Sequence, residues 1–103
     1  AKQASDIVVD YENQKVIWAD LSNDNISSVS FDGSDKKVLI QFKSKFANPD
    51  ALTIDTVNKR LIYATHYPEI SEKRLETANL DGTNRKVAHR ALKSSPGSLF
   101  SAF

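Results

Sequence analysis

Cysteine is absent from the 103-residue sequence, which excludes disulfide bonds and thiolate metal sites. Methionine is absent too and the chain begins with Ala1, so we expect either a processed or excised product or a chain that lost an initiator methionine, and we favour excision. No apolar run approaches the roughly 20 residues of a membrane-spanning helix, and no secretory signal peptide is visible. We therefore expect no membrane span in this segment.

An excess of charge of either sign is also missing. The chain has 14 Lys and Arg against 13 Asp and Glu, which gives a net charge of +1, and no block of like charge stands out. Nucleic-acid-binding domains present a basic stripe or patch, and anionic membranes attract clusters of basic residues. The composition therefore predicts neither a nucleic-acid partner nor a membrane-surface partner.

The sequence contains an internal repeat. One apolar run ends at Asp10 and a similar run ends at Asp55, which is 45 positions later (55 − 10). Each aspartate is followed by a polar turn and a second apolar run, at 16–19 in the first copy and at 61–64 in the second. Periods of about 20–50 residues are typical of solenoids, propellers and other repeat arrays.

Two further runs recur in each copy, with an Asp-Gly pair between them. Asp32-Gly33 follows the third run of the first copy and Asp81-Gly82 follows that of the second, a separation of 49 (81 − 32). Asp-Gly between two apolar runs predicts a β-hairpin, because glycine accepts positive φ without steric cost. The second copy thus has four extra residues, which we expect to form an enlarged loop over 66–72.

Four short runs in each copy predict four strands. The runs are rich in β-branched and aromatic residues, and no helical spacing is sustained. Four strands in a unit of this length correspond to one propeller blade. The sequence predicts an all-β fold, a β-propeller segment of two four-stranded antiparallel blades plus the first strand of a third. The predicted units are a blade at 1–48, a blade with a four-residue insertion at 49–95, and the start of a further blade at 96–103.

The place of each run in its blade predicts its exposure. The first runs, at 7–9 and 51–54, should line the central axis of the propeller and are apolar in their middles. The outermost run should be half exposed, so its residues should alternate with a period of two. On that basis Val38, Ile40 and Phe42 should share one face.

These units resemble the YWTD repeat family of the low-density lipoprotein receptor and its relatives. The family unit is a strand ending in Asp, then a Tyr-Trp-Thr-Asp strand, then a strand ending in Asp-Gly. The second strands here read Ile17-Trp18-Ala19-Asp20 and Ile62-Tyr63-Ala64-Thr65, so the signature itself is degenerate. The resemblance implies structural repeat positions at Asp10, Trp18, Asp20, Gly33, Asp55, Tyr63 and Gly82.

The resemblance implies an extracellular, non-catalytic module of receptor or matrix type, in a propeller of six blades. Its implied partners are a protein ligand and either the remaining blades or further copies of the chain, and no cofactor is implied. Two alternatives stay open. The segment could buttress neighbouring domains or self-assemble into a closed ring, or it could be a fragment of a propeller hydrolase, although no nucleophile–base pair is visible in the sequence.

In the family, the loops between second and third strands share one face of the disc with the blade-to-blade connections. We therefore expect ligand contacts at His66, Tyr67 and Glu69 of the enlarged loop and at Lys45 and Phe46 of the connection. Tyrosine is enriched at interface hot spots. The alternative is that the insertion is a tolerated surface loop on which Tyr67 merely packs.

Asn25-Ile26-Ser27 is an N-glycosylation sequon, and we expect Asn25 in the equivalent loop of the first blade, within reach of a glycan. The two histidines, His66 and His89, suggest a switch that responds to acidic pH. Both are also ordinary residues for a loop and an outer strand, so that alternative stays open.

The remaining repeat residues are expected to be structural. Trp18 should pack between blades, because an aromatic side chain contributes a large buried area. Asp10, Asp20 and Asp55 should cap turns through their side-chain oxygens. Because the repeat places these carboxylates one blade apart, no metal site is expected.

Overall fold

The computed structural model describes residues 4–43, 48–67 and 71–92. Within these residues the fold is all β, with two four-stranded antiparallel sheets and no helix. The first sheet runs in chain order through β1 (Ala4–Asp10), β2 (Lys15–Asp20), β3 (Asn25–Ser30) and β4 (Lys37–Gln41). The second runs through β5 (Asn48–Asp55), β6 (Arg60–Tyr67), β7 (Glu72–Asn79) and β8 (Lys86–Leu92).

The predicted all-β class and the two four-stranded antiparallel sheets are thus confirmed. The proposed third blade at 96–103 lies outside the described residues. The unit boundaries at 1–48 and 49–95 stay a prediction. Within the described part of the chain, no helix has the length and apolar character needed to cross a bilayer.

The backbone itself repeats between the two sheets. Three turns of each sheet contain a non-glycine residue with positive φ, and these residues form matched pairs. The paired residues are 45, 47 and 49 positions apart (59 − 14, 71 − 24 and 84 − 35). The stepwise increase shows that two of the four extra residues precede the β6–β7 turn and two follow it. The pairs are Gln14 with Lys59, Asp24 with Ser71, and Asp35 with Asn84.

The four extra residues lengthen two strands, and the predicted enlarged loop over 66–72 is wrong. β6 and β7 have eight residues each, whereas β2 and β3 have six. His66 pairs with Lys73 and Tyr67 pairs with Glu72, so these four residues continue the antiparallel ladder. Two residues added to each strand keep every following side chain on its original face, because the side-chain period of a strand is two.

The two sheets pack face to face around one apolar cluster. The first sheet contributes side chains of β2, β3 and β4 and Phe42 just after β4, and the second contributes side chains of β5, β6 and β7. Each large aliphatic side chain buried there contributes about 1.5–3 kcal/mol relative to exposure. The buried cluster comprises Ile17, Ala19, Ile26, Ile40, Phe42, Leu52, Leu61, Tyr63 and Ala78.

Two contacts fix how closely the sheets approach. The backbone N–H of Leu52 donates to Oδ2 of Asp6 at 3.0 Å, which ties β5 to β1. At the outer side, a Cβ added to Gly82 would lie 2.2 Å from the carbonyl oxygen of Leu39. Gly82 also has φ +87°, so both its backbone and its surroundings require glycine. The equivalent Gly33 has the same φ but nothing within 4 Å of its Cβ position.

A bulge in the outer strand changes the predicted pattern of exposure. Ile26 pairs with Ile40 and Ser27 pairs with Val38, so Leu39 is the extra residue of a bulge. Val38 is consequently 53% exposed, while Ile40 is buried. The predicted common face for Val38 with Ile40 is therefore wrong. The second sheet repeats the irregularity, since Leu75 pairs with His89 and Glu76 pairs with Val87.

Candidate functional site

One end of the molecule brings together the described ends of the segments that were predicted to contact a ligand. The backbone N–H of Phe42 donates to the carbonyl of Asp24 at 3.0 Å, which joins the start of the β4–β5 connection to the β2–β3 turn. The connection leads to Asn48, which pairs with His66 near the end of β6. We call this end, with the turns after β2 and β6 and the connection after β4, the loop end.

The structure places two of the five predicted contact residues. His66 and Tyr67 lie in the last two positions of β6 at the loop end and are half-buried. Lys45, Phe46 and Glu69 lie outside the described residues. The predicted cluster of five therefore stays a prediction.

Tyr67 is a packed residue rather than a freely exposed one. Its hydroxyl donates to Oε2 of Glu76 at 3.3 Å, and the guanidinium of Arg74 lies 4.4 Å from its ring centroid. Burial, together with the negative charge of Glu76, raises the pKa of Tyr67 above its ordinary value. These contacts support the alternative in which Tyr67 packs onto its own hairpin.

A buried carboxylate lies on the face of the second sheet that packs against the first sheet. Glu76 is 3% exposed, and its Oε1 accepts from the Tyr63 hydroxyl at 2.9 Å and from Nη2 of Arg85 at 3.2 Å. Nε of Arg85 also donates to the Tyr63 hydroxyl at 3.3 Å. Burial and the charge of Glu76 raise the pKa of Tyr63, so its hydroxyl stays protonated and continues to donate.

The same network reaches the first sheet through Phe42. Its ring meets the ring of Tyr63 edge-on with centroids 6.0 Å apart, and the Arg85 guanidinium lies 5.3 Å from its ring centroid. The sequence analysis missed Glu76 and Arg85. The available signal was a charged residue, Glu76, between Leu75 and Thr77 within a predicted strand. Because an unpaired buried charge is costly, such a residue indicates a buried partner of opposite charge.

The repeat aspartates cap turns, as expected from the sequence. Asp10 accepts from the side chain of Asn13 at 2.8 Å, and Asp55 accepts from that of Asn58 at 2.8 Å. Asp20 accepts from the backbone N–H of Ser22 at 2.9 Å. In Asp55 the hydrogen bonds from the Asn58 side chain and backbone hold the carboxyl pKa below its ordinary value of 3.8.

Trp18 lies on the face of the first sheet that points away from the second sheet. It pairs with Ile7, which is 59% exposed, and Lys36 lies 5.9 Å from its ring centroid. Tyr63 and Arg85 occupy the equivalent positions of the second sheet, where they form the sheet interface. Packing of Trp18 between blades therefore requires a further blade on this open face and stays a prediction.

Asn25 is the first residue of β3, and its expected position in an accessible loop is wrong. Its side chain is 5% exposed, its Oδ1 accepts from the Ser27 hydroxyl at 2.8 Å, and its Nδ2 donates to Gln41 at 3.4 Å. The asparagine and the serine of the sequon are thus hydrogen-bonded to each other in the folded state. The burial disfavours a glycan on the folded chain.

The two histidines lie in different strands. His66 is near the end of β6, and His89 is an exposed residue of β8 at the position that Ile40 holds in the first sheet. A pH switch at these residues stays a prediction. Across residues 4–43, 48–67 and 71–92, no group of three or more His, Cys, Asp or Glu side chains is arranged to hold a metal ion.

Comparison with known proteins agrees with this geometry. Residues 14–56, from the β1–β2 turn to just after β5, match the family described as low-density lipoprotein receptor repeat class B. Among solved structures, a β-propeller chain from a crystal structure of a nidogen/laminin complex matches with a TM-score of 0.69 and 26% sequence identity. The match covers 82% of this chain and 30% of that chain, so this chain spans less than a third of its length. Residues 14–56 are therefore a repeat of the YWTD, or low-density lipoprotein receptor class B, family, and the two sheets are a β-propeller segment.

Proposed function

We propose that this chain is part of an extracellular, non-catalytic β-propeller that binds another protein. The observation that carries the proposal is the likeness to a propeller chain solved in a nidogen/laminin complex, together with the class B repeat match. A secreted matrix protein and the ectodomain of a receptor both fit this proposal. The likeness extends over both sheets, since it covers 82% of the chain.

The loop end is the proposed ligand face. It carries the tips of the β2–β3 and β6–β7 hairpins, and the second hairpin is longer by two residues on each strand. At about 3.3 Å per residue, the two added residues extend each strand of the second hairpin by about 7 Å. The proposed contacts are His66, Tyr67, Glu69, Lys45 and Phe46, with Tyr67 contributing its exposed edge.

A non-catalytic role is supported by how the buried polar groups are used. Glu76, Tyr63 and Arg85 bond to one another within the second sheet, and the Tyr63 ring and the Arg85 guanidinium contact Phe42 of the first sheet. Their buried polar groups are thus engaged in structure, and a catalytic group would need to reach a substrate.

A second candidate role is association with further blades or with copies of the chain. The face that carries Trp18 is apolar and open, with Ile7 and Val38 exposed. In the second sheet, the equivalent face packs against the first sheet. Head-to-tail stacking of this kind repeats until a ring closes. In this role the segment would buttress a propeller rather than contact the ligand.

Binding to immobilised laminin tests the first role, because the similar chain is found in complex with laminin. We expect the 103-residue chain to bind, and we expect Lys45→Glu and Phe46→Ala to weaken binding by about ten-fold each, a hot-spot effect. The matched control is Lys59→Glu, in the β5–β6 turn at the opposite end. An undetectable interaction, or equal losses in all three variants at unchanged melting temperature, would count against the proposed ligand face.

A further inference from the structure

A small cavity lies beside the outermost strand β8 on the side of the second sheet that faces the first. Its volume is about 230 Å³, which is enough for one side chain of a ligand. We call it the rim groove. It is lined by Tyr67, Arg74, Glu76, Arg85, Lys86 and Val87.

The rim groove carries its positive charges outside and its negative charges inside. The carboxylate of Glu76 is 4% exposed, whereas the side chain of Arg85, with which it pairs, is 40% exposed. Glu72 is likewise buried beneath Arg74 and Arg90, at 3.2 and 3.6 Å. A ligand that approaches from solvent therefore meets guanidinium groups before it meets carboxylates.

The strand beside the groove is at the edge of its sheet and has no acidic residue. Among the residues that the structure describes, β8 is the last strand of the second sheet, so one of its sides has no neighbouring strand there. Residues 86–90 are all exposed. From residue 82 to the end of the chain there is no Asp or Glu, while Lys and Arg occur four times, at Arg85, Lys86, Arg90 and Lys93.

Such an edge discriminates by charge. An unpaired strand edge is a template for another strand, and cationic side chains on it repel a second cationic strand. The same side chains attract a strand that carries carboxylates. The guanidinium fork of arginine matches a carboxylate with two parallel hydrogen bonds.

Donor groups remain available in the groove. Arg85 uses Nε and Nη2 for Tyr63 and Glu76, and neither of these bonds uses Nη1. Nε of Arg74 is buried and has no acceptor among the described residues. A carboxylate that entered the groove would supply an acceptor for Nη1 of Arg85.

We propose that the rim groove and the outer edge of β8 bind an extended acidic peptide segment. The peptide main chain adds to β8 as a fifth strand, and one of its carboxylates enters between Arg74 and Arg85. This inference rests on the proposed protein-binding function and adds the chemistry of one partner. It places that partner at the rim of the blade, beside the loop end, with Tyr67 common to both surfaces.

The test uses a fluorescein-labelled peptide of four Thr-Glu repeats, titrated with the 103-residue chain and followed by fluorescence anisotropy. Binding is expected, and it should weaken as salt is raised because exposed charges are screened. Lys86→Glu should weaken binding by about ten-fold, whereas Lys59→Glu, with the same change of net charge at a distant turn, should change it by less than about two-fold. Arg85→Lys keeps a cation beside Glu76 and should weaken binding through loss of the fork.

Four results would overturn the inference. One is no binding of the Thr-Glu peptide, and another is equal weakening by Lys86→Glu and Lys59→Glu. The third is equal binding of a Thr-Lys peptide. The fourth is binding of a heparin hexasaccharide in place of the acidic peptide, which would assign the cations to a sulfated polysaccharide. Laminin binding measured on the same variants separates the two proposals. If it persists while the peptide fails to bind, the inference fails alone.

Discussion

The hydroxyl of Tyr63 donates to the carboxylate of Glu76 at 2.9 Å within the interface between the two sheets. The position of Tyr63 in the second sheet is that of Trp18 in the first. The same repeat position thus lies on an open face in the first sheet, at Trp18, and at the interface between the sheets in the second, at Tyr63. This equivalence is the physical basis for treating the sheets as neighbouring blades.

Tyr63→Phe removes that hydroxyl and leaves the buried Glu76 with Arg85 as its remaining hydrogen-bond donor at Oε1. A buried acceptor deprived of one partner costs about 1–3 kcal/mol, so we expect the free energy of unfolding to fall by that amount. The measurement is urea unfolding followed by Trp18 fluorescence. Tyr11→Phe is the matched control, since Tyr11 is 78% exposed, and its effect should stay within about 0.5 kcal/mol. Equal effects of the two substitutions would show that the buried network does not stabilise the fold.

Asp55→Asn tests the turn caps through pH. Hydrogen bonds from the Asn58 side chain, the Asn58 backbone and Val57 hold the Asp55 pKa below 3.8 in the folded state. A carboxyl with a lowered folded pKa stabilises the fold above its unfolded pKa, and this contribution is lost as pH falls through the folded pKa. The wild type should therefore melt above Asp55→Asn at pH 7, and the gap should narrow below pH 3.8. A gap that stayed constant from pH 7 to pH 2 would contradict this cap.

The four-strand frame could be predicted from the sequence because it depends on local signals. Asp10 and Asp55 end strands and cap turns, and Gly33 and Gly82 supply positive φ at hairpins. Each of these roles is decided within three or four residues of chain. The same reasoning failed for the insertion at 66–72, where His66 and Tyr67 have no local signal that separates a longer hairpin from a larger loop.

The parts that could not be predicted depend on contacts between strands or sheets. The bulge at Leu39 exposes Val38, and it is set by pairing with β3 rather than by residues 37–41 alone. The partners of Glu76 are 9 and 13 residues away in sequence, at Arg85 and Tyr63. A repeat pattern does not reveal such pairs, since the first sheet has Ser27 at the position of Glu76.

The buried sequon predicts the outcome of secretory expression. Because the Asn25 side chain is buried and bonded to Ser27, we expect the folded, secreted chain to lack a glycan at this position. A glycan attached before folding would hold the start of β3 open, so any modified fraction should melt at a lower temperature. Intact-mass spectrometry and thermal unfolding of the separated fractions provide the test. Complete modification with an unchanged melting temperature would show that Asn25 is accessible after all.

The packing of the two sheets against each other is tested most directly by comparing Gly82→Ala with Gly33→Ala. Both glycines have φ +87°, so both substitutions carry the same backbone strain, but only a Cβ at Gly82 meets the carbonyl of Leu39 in the other sheet. Overpacking of this kind costs about 1–3 kcal/mol, so Gly82→Ala should lower the free energy of unfolding in urea by that much more than Gly33→Ala. Equal losses for the two variants would contradict the account of two blades in contact.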